Sequence, residues 1–277
     1  MISSLDWPAS VISGGNLDKD FADSQEPGGL LMEAEREGVV ALVYARLLLA
    51  DETAGSRRDK SRELVVRSFK AAALQGVLSS MLIESETRHL LSVMDQAAIP
   101  GLLLKGQAIA QWAYPDPSLR ASGDIDVLVA TRDAADQLAH RLCESGYELF
   151  QPSGDLVALE MMLRREVAPG VWVEIDLHCR VINSPLFSER FTFDELMAES
   201  IALPRLGANA RGLGPAHAFI HACMHWAATL AVGAEIRLKW LYDIPAFAKV
   251  FTKTDWQLLQ QLAVERGLAG VCLGMIE

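Results

Sequence analysis

With 277 residues, 51% of them hydrophobic, the chain is long enough for one large domain or two small ones built around a sizeable core. A formal net charge of −11 argues against a broad electrostatic grip on nucleic acid. No uninterrupted apolar run of about 18 residues occurs, so nothing is expected to span a membrane.

The N-terminus, MISSLDWPASVISGGNLDKDF, has no basic region followed by a long apolar segment, so no signal peptide is expected. Cys143, Cys179, Cys223 and Cys272 are widely spaced, form no CxxC pair, and read as free thiols of a cytoplasmic protein. Residues 1–27, rich in Ser, Gly, Asp and Pro, read as a loose leader. From Leu30 to Leu49 apolar residues (Leu30, Leu31, Ala34, Val39, Leu42, Val43, Leu47) recur at helical spacing. Asp51 to Lys60 is a polar break containing Gly55. A longer helix is expected from Ser61 to Ala98, with Leu64, Phe69, Leu74, Leu78, Leu82, Leu90 and Leu91 in the core.

The next stretch, IPGLLLKGQAIA (99–110), reads as a strand that breaks at Gly106 and runs into a short helix, Gln107 to Trp112. Tyr-Pro-Asp-Pro ends that helix, because each Pro biases its predecessor away from helix. Gly106 lets the backbone approach a ligand closely, and the helix start beyond it offers N–H groups to an anion. Lys105 adds a positive charge at the same place. Arg120 precedes the following strand and suits either a phosphate clamp or a structural partner for nearby acids.

Ser122 and Gly123 form a turn into Asp124-Ile-Asp-Val-Leu-Val129, a strongly apolar run that reads as a buried strand. Side chains alternate along a strand, so Asp124 and Asp126 share one face while Ile125, Val127 and Val129 take the other. Two carboxylates crowded on one face repel each other and resist desolvation. A divalent cation between them removes that penalty, and Mg²⁺ prefers one or two carboxylates plus water and phosphate oxygens. A turn aspartate beside a solvated one is the plain alternative, and the flanking segments weigh against it.

Thr131 caps a helix from Arg132 to Ser145, with Ala135, Leu138, Ala139 and Leu142 as its buried face and Gly146 as its stop. Tyr147 to Phe150 reads as an edge strand. Leu156 to Val167 and Val171 to Val181 form a hairpin through Pro169-Gly170. In VWVEIDLH (171–178), Glu174, Asp176 and His178 share one face and Val173, Ile175 and Leu177 the other. At about 3.3 Å per residue, Glu174 and Asp176 sit roughly 6–7 Å apart, so only one is expected to reach a shared metal. His178 reads as a metal, substrate or proton ligand, or as a hydrogen-bonded strand histidine. A phosphate cradle, a carboxylate pair and a third acidic strand are the parts of metal-assisted phosphoryl or nucleotidyl transfer.

Phe187 to Leu196 is a mixed connection and Pro204 to Gly214 a loop. From Pro215 the chain turns helical. His221 and His225 share a helix face, but His-Ala-Cys-Met-His lacks the Glu of a zinc-protease motif and reads as packing. Arg237, Lys239 and Asp243 belong to the next helix, with Trp240 and Leu241 inward. Either Arg237 or Lys239 is a candidate to reach a triphosphate. Trp256, Leu259, Leu262 and Leu268 continue the bundle.

The run LLLKG…YPDPSLRASGDIDVLV…GY…VEIDLH, followed by HACMHW and RLKWLYDI, resembles the uncharacterised bacterial nucleotidyltransferases of the DNA polymerase β-like superfamily. The likeness spans roughly residues 30–270. One departure is Lys105-Gly106, where that superfamily usually has Gly-Ser or Gly-Gly. The resemblance implies an α+β fold with a small mixed sheet flanked by helices. It places an N-terminal helical segment at 28–98, a nucleotidyltransferase α/β core at 99–200 and a C-terminal helical module at 201–277. The implied reaction moves a nucleoside monophosphate from a nucleoside triphosphate such as ATP to an acceptor, releasing pyrophosphate. Asp124 and Asp126 would hold Mg²⁺ (or Mn²⁺). Asp176 rather than Glu174 would complete the metal site and help remove the acceptor proton. Lys105, Gly106, Arg120, Ser122 and Gly123 would bind the nucleotide. The acceptor is left open between a small molecule, a protein and tRNA. One competing reading is a catalytically inactive nucleotide-binding or partner-binding module of the same fold, against which the intact acidic set counts. Another is an enzyme of a toxin–antitoxin or peptide-tailoring system.

Overall fold

The structure is a computed structural model that describes residues 6–14, 27–53, 60–151 and 160–276. Most of the expected leader, most of the polar break before Lys60 and the start of the expected hairpin lie outside the described residues. Two compact units emerge: Met1–Ser80 with Ser118–Ala121 and Arg237–Lys239, and Met81–Pro117 with Ser122–Ile236 and Trp240–Glu277. Among the described residues no helix is long and apolar enough to cross a membrane.

The first unit holds helices α1 (Asp6–Ser13), α2 (Pro27–Glu37), α3 (Val40–Thr53) and the first part of α4 (Lys60–Ala97). Part of the expected leader is therefore ordered: Trp7 and Val11 on α1 are buried, and the Trp7 ring lies 5.8 Å from Phe69. The single helix expected from Leu30 to Leu49 is two helices. Gly38 between them has φ 70, a left-handed conformation that glycine adopts without strain. Glu37 is buried and accepts the Leu238 backbone N–H at 2.8 Å, and Arg36 pairs with it at 3.2 Å. A Cβ on Gly38 would lie 2.7 Å from Lys239 Cδ, so the Lys239 stem packs against this turn. Arg237 is exposed and precedes the helix Leu238–Val250 instead of lying in it.

Helix α4 keeps its expected span but not its expected core. Phe69 and Leu90 are buried, whereas Leu64, Leu74 and Leu78 are 53%, 57% and 62% exposed and Leu82 is also exposed. The buried positions are Val65, Phe69 and Ala73, then Ile83, Thr87, Leu90, Val93 and Met94. Those residues follow the 3.6-residue period one step out of phase with the leucines.

The second unit is built on a seven-stranded mixed sheet in the order β3-β4-β5-β2-β1-β7-β6. Its strands are β1 (Gly101–Leu103), β2 (Asp124–Val129), β3 (Glu148–Gln151), β4 (Glu160–Ala168), β5 (Val171–His178), β6 (Ile201–Ala202) and β7 (Arg211–Gly212). The α+β class is as expected. The loop expected from Pro204 to Gly214 instead contributes strand β7, which lies between β1 and the edge strand β6. Two residues per strand leave no alternation to read, and pairing is through Leu103 and Gly212. Helix α5 (Gln107–Ala113) follows β1, and α6 (Arg132–Glu144) follows β2. Thr131 caps α6 by accepting the Ala134 N–H at 3.1 Å, and Gly146 ends it with φ 97.

One face of the sheet carries the core. Ile125, Val127, Val129, Val173, Ile175 and Leu177 pack with Ala135, Leu138, Ala139 and Leu142 of α6 and with Leu90, Val93 and Met94 of α4. Glu86 of α4 ties that helix to the sheet, gripping Arg165 of β4 and accepting the Tyr147 hydroxyl. The remaining helices are α7 (Phe193–Ala198), α8 (Pro215–Ala231), α9 (Leu238–Val250), α10 (Lys253–Glu265) and α11 (Ala269–Ile276). An aromatic cluster of Trp112, Phe219, Phe247, Phe251 and Trp256 binds α5, α8, α9 and α10 together. Leu241, expected to point inward, is exposed. Asp243 is buried instead, where it accepts the Tyr114 hydroxyl at 2.7 Å.

Candidate active site

β2 and β5 run parallel in a register that pairs Asp124 with Glu174, Asp126 with Asp176 and Leu128 with His178. Paired residues in a parallel ladder project to the same side, so all the acids face away from the apolar core. Carboxylate oxygens of Asp126 and Asp176 and a ring nitrogen of His178 lie within 4.8 Å of one another. Among the described residues this is the one group of three His, Cys, Asp or Glu side chains spaced to hold a metal ion. Asp124 stands one step back along the strand, half-buried, with Glu174 opposite it.

Asp126 is the centre of the arrangement. Its Oδ1 lies 2.7 Å from Lys105 Nζ and 3.2 Å from His178 Nε2. Burial alone would raise the Asp126 pKa, but Lys105 and His178 outweigh it and hold the carboxyl well below its ordinary range. Burial likewise opposes the charge on Lys105. Asp126, Asp124 and Asp176 more than reverse that, and the ammonium stays charged.

The backbone explains why Lys105 arrives there. The Leu104 N–H bonds to the Asp126 carbonyl at 3.1 Å, extending the β1–β2 pairing to the edge of the turn. Gly106 then turns the chain with φ 45, and a Cβ there would lie 2.4 Å from Ser122 Oγ. The Lys-Gly turn and the Ser-Gly-Asp turn are thus in contact. Ser122 donates its hydroxyl to the Asp124 carbonyl at 3.0 Å, while Gly123 is open to solvent.

The expected site residues of this unit, Lys105, Gly106, Ser122, Gly123, Asp124, Asp126 and Asp176, are gathered at this end of the sheet. Arg120 is buried and belongs to the first unit, as do Arg237 and Lys239. His221, read from the sequence as a packing residue, is buried on α8. Its Nε2 donates to the Val181 carbonyl at 3.0 Å, just past β5. Burial, then the charge of Lys105, push its pKa down to about 3, with Asp126 pulling weakly the other way. His221 is therefore a neutral imidazole facing Lys105, His225, Asp126 and His178. His225, four residues on, makes a T-shaped contact with Trp240, ring centroids 4.7 Å apart.

These donors fit a divalent cation. Three carboxylates against one ammonium leave an excess of negative charge, and carboxylate oxygens suit Mg²⁺ or Mn²⁺. The imidazole of His178 is a better ligand for Mn²⁺ and other transition ions than for Mg²⁺. A separate cavity of about 340 Å³ opens past the ends of β2 and β5, lined by Leu128, Thr131, Cys179, Arg180, Phe191 and Phe193 among others. Of the acids on β2 and β5, none lines it.

A family model described as an uncharacterised nucleotidyltransferase matches residues 23–276. No curated protein matches the chain. Among solved structures, an antigenic nucleotidyltransferase-like protein from Paracoccidioides brasiliensis is 14% identical, with a TM-score of 0.43 over 70% of this chain and 93% of that one. The antibiotic-resistance factor ANT(2'')-Ia is 11% identical, with a TM-score of 0.47 over 69% of this chain and 95% of that one.

Proposed function

Because this chain belongs to the uncharacterised nucleotidyltransferase family, we propose that it transfers a nucleoside monophosphate from a nucleoside triphosphate to an acceptor and releases pyrophosphate. The observation that carries this is the register that sets Asp126 beside Asp176 with His178 in reach. Asp124, Asp126 and Asp176 would hold Mg²⁺ or Mn²⁺, with His178 able to join them. When bound, the ion would steady the charge developing on the phosphates and favour the ionised acceptor oxygen. ATP is the working substrate of this proposal, and the acceptor is a small molecule, a protein or tRNA. The four cysteines, all free thiols, fit a cytoplasmic setting.

The protein's own groups divide the work. Gly123, exposed and with open space where a Cβ would stand, leaves backbone that phosphate oxygens can approach closely. Lys105 supplies the positive charge beside them. Attack by the acceptor oxygen on the α-phosphorus breaks the bond to pyrophosphate and releases the acceptor's proton. Asp126, held ionised by Lys105 and His178, is too weak a base to take that proton. Asp176, half-buried and paired in register with Asp126, is our choice for it.

The test is an incubation with labelled triphosphates, Mg²⁺ or Mn²⁺ and candidate acceptors, read as pyrophosphate release, beside thermal melts. Metal with triphosphate should raise the melting temperature by mass action, and Asp124→Asn with Asp126→Asn should abolish the rise. The double variant should also melt lower at rest, since Lys105 loses its counter-charge. Each protein is therefore compared with its own baseline. An unchanged metal response would remove the site from these aspartates, and binding without any turnover would make the protein a binding module.

A further inference from the structure

Asp126 Oδ1 is engaged by a cation that the chain itself supplies. Its side chain is 2% exposed, Lys105 Nζ lies 2.7 Å away, and the Lys105 side chain retains 23% exposure. A divalent ion bonded to Asp126 would stand a few ångströms from that ammonium, and like charges at that separation repel strongly in a partly buried site. The two cations are therefore rivals for one carboxylate. Lysine has a long flexible stem and three donors that can be re-aimed, unlike the rigid arginine fork. Lys105 also sits at the turn where Gly106 brings the backbone against Ser122, so the same ammonium can swing from Asp126 toward an anion at that turn.

We propose that Lys105 is an internal counter-ion that couples metal binding to triphosphate binding. It neutralises Asp126 while the site has no nucleotide, and it passes to a phosphate oxygen when a metal–triphosphate complex arrives. This rests on the reading of the site given above and adds to it a rule of entry. The metal alone binds poorly because it must displace Lys105 onto nothing. The triphosphate gives the displaced ammonium a new partner. The arrangement keeps the acidic cluster charge-balanced between turnovers and selects the metal–nucleotide complex over the free ion. A merely structural Lys105–Asp126 pair makes a different forecast: removing the lysine would loosen the fold without making the metal bind more tightly.

The experiment measures Mn²⁺ affinity calorimetrically in the wild-type protein, Lys105→Met, Lys105→Arg and Asp126→Asn, with and without a non-hydrolysable ATP analogue. Lys105→Met should bind Mn²⁺ alone roughly tenfold more tightly than the wild type, the scale of an ordinary coupling between two ligands. It should bind the analogue more weakly, and the tightening of Mn²⁺ by the analogue should shrink. Lys105→Arg keeps the charge and should leave Mn²⁺ affinity near the wild-type value. Equal or weaker Mn²⁺ binding by a folded Lys105→Met overturns the proposal. Failure of the site reading looks different: Mn²⁺ would bind Asp126→Asn as well as wild type, or none of the four proteins at all, and the coupling would fall with it. If Lys105→Met does not fold, amine acylation of the wild-type chain read by mass spectrometry decides. Mn²⁺ alone, at saturating concentration, should raise Lys105 labelling several-fold, and adding the analogue should suppress it. Labelling indifferent to Mn²⁺ overturns the proposal.

Discussion

On one face of β2 and β5 stand Ile125, Val127, Val129, Ile175 and Leu177, none more than 2% exposed. On the other stand Asp124, Asp126, Glu174, Asp176 and His178. The same backbone serves both sets, and a strand period of two keeps them apart. Each apolar side chain contributes roughly 1.5–3 kcal/mol by leaving water. The polar face runs the other way: burying Asp126 is unfavourable, and Lys105 and His178 offset that by holding it ionised. On the proposed function, stability and chemistry fall to alternate residues of one ladder, and substitutions at neighbouring positions should separate them.

The largest separation is expected at Asp176. Asp176→Ala should lower nucleotidyl transfer by more than about a thousandfold, since charge stabilisation by a bound metal is worth several kcal/mol. Triphosphate binding and the unfolding midpoint should change little. Transfer within tenfold of the wild type would take Asp176 out of the site. Next comes its apolar neighbour. Ile175→Ala should cost about 2–5 kcal/mol in urea unfolding, the range for large-to-small core changes. The folded fraction should keep its Mn²⁺ affinity. Loss of metal binding in proportion to stability would mean that the two faces are not independent.

A third, smaller effect is in pH. His221 has its pKa pushed down to about 3 in the fold against an ordinary 6.5, and His217 is lowered too, chiefly by burial with Glu195 and Glu199 opposing. Below pH 6.5 the unfolded chain binds protons that the folded chain refuses. Stability is therefore complete above that pH and falls as pH drops toward 3, by about 1.4 kcal/mol per unit for each histidine while it stays neutral in the fold. His221→Gln should flatten this slope, and an unchanged slope would show that His221 is not held neutral. The smallest effect is assigned to Glu174. It stands opposite Asp124, one same-face pair away from Asp126 and Asp176, and the proposed site takes Asp176 as its acid on β5, so Glu174→Ala should retain measurable turnover.

The faces of β2 and β5 were legible because alternation is local: DIDVLV and VEIDLH each state their two sides in six residues. Helix α6 was legible for the same reason, with Thr131 and Gly146 marking its ends. The phase of α4 was not. Leu64, Leu74 and Leu78 were assigned to the core by residue type, whereas Val65, Phe69 and Ala73 occupy it, and a helix with apolar residues on several sides leaves the choice to its partners. Strand β7 was hidden because Arg211 and Gly212 carry no pattern of their own. The pairing of Lys105 with Asp126 was out of reach, since it depends on β1 running antiparallel to β2. His221 was read as packing, but its partner was hidden for a similar cause: nothing near it in sequence tells that α8 brings it to Val181.

The most direct test is diffraction at the manganese edge from crystals grown with Mn²⁺ and a non-hydrolysable ATP analogue. The account predicts an anomalous peak within bonding distance of the Asp126 and Asp176 carboxylates, with Lys105 Nζ moved from Asp126 to a phosphate oxygen. An analogue bound with no metal between Asp126 and Asp176, or manganese held elsewhere with Lys105 still on Asp126, would contradict it.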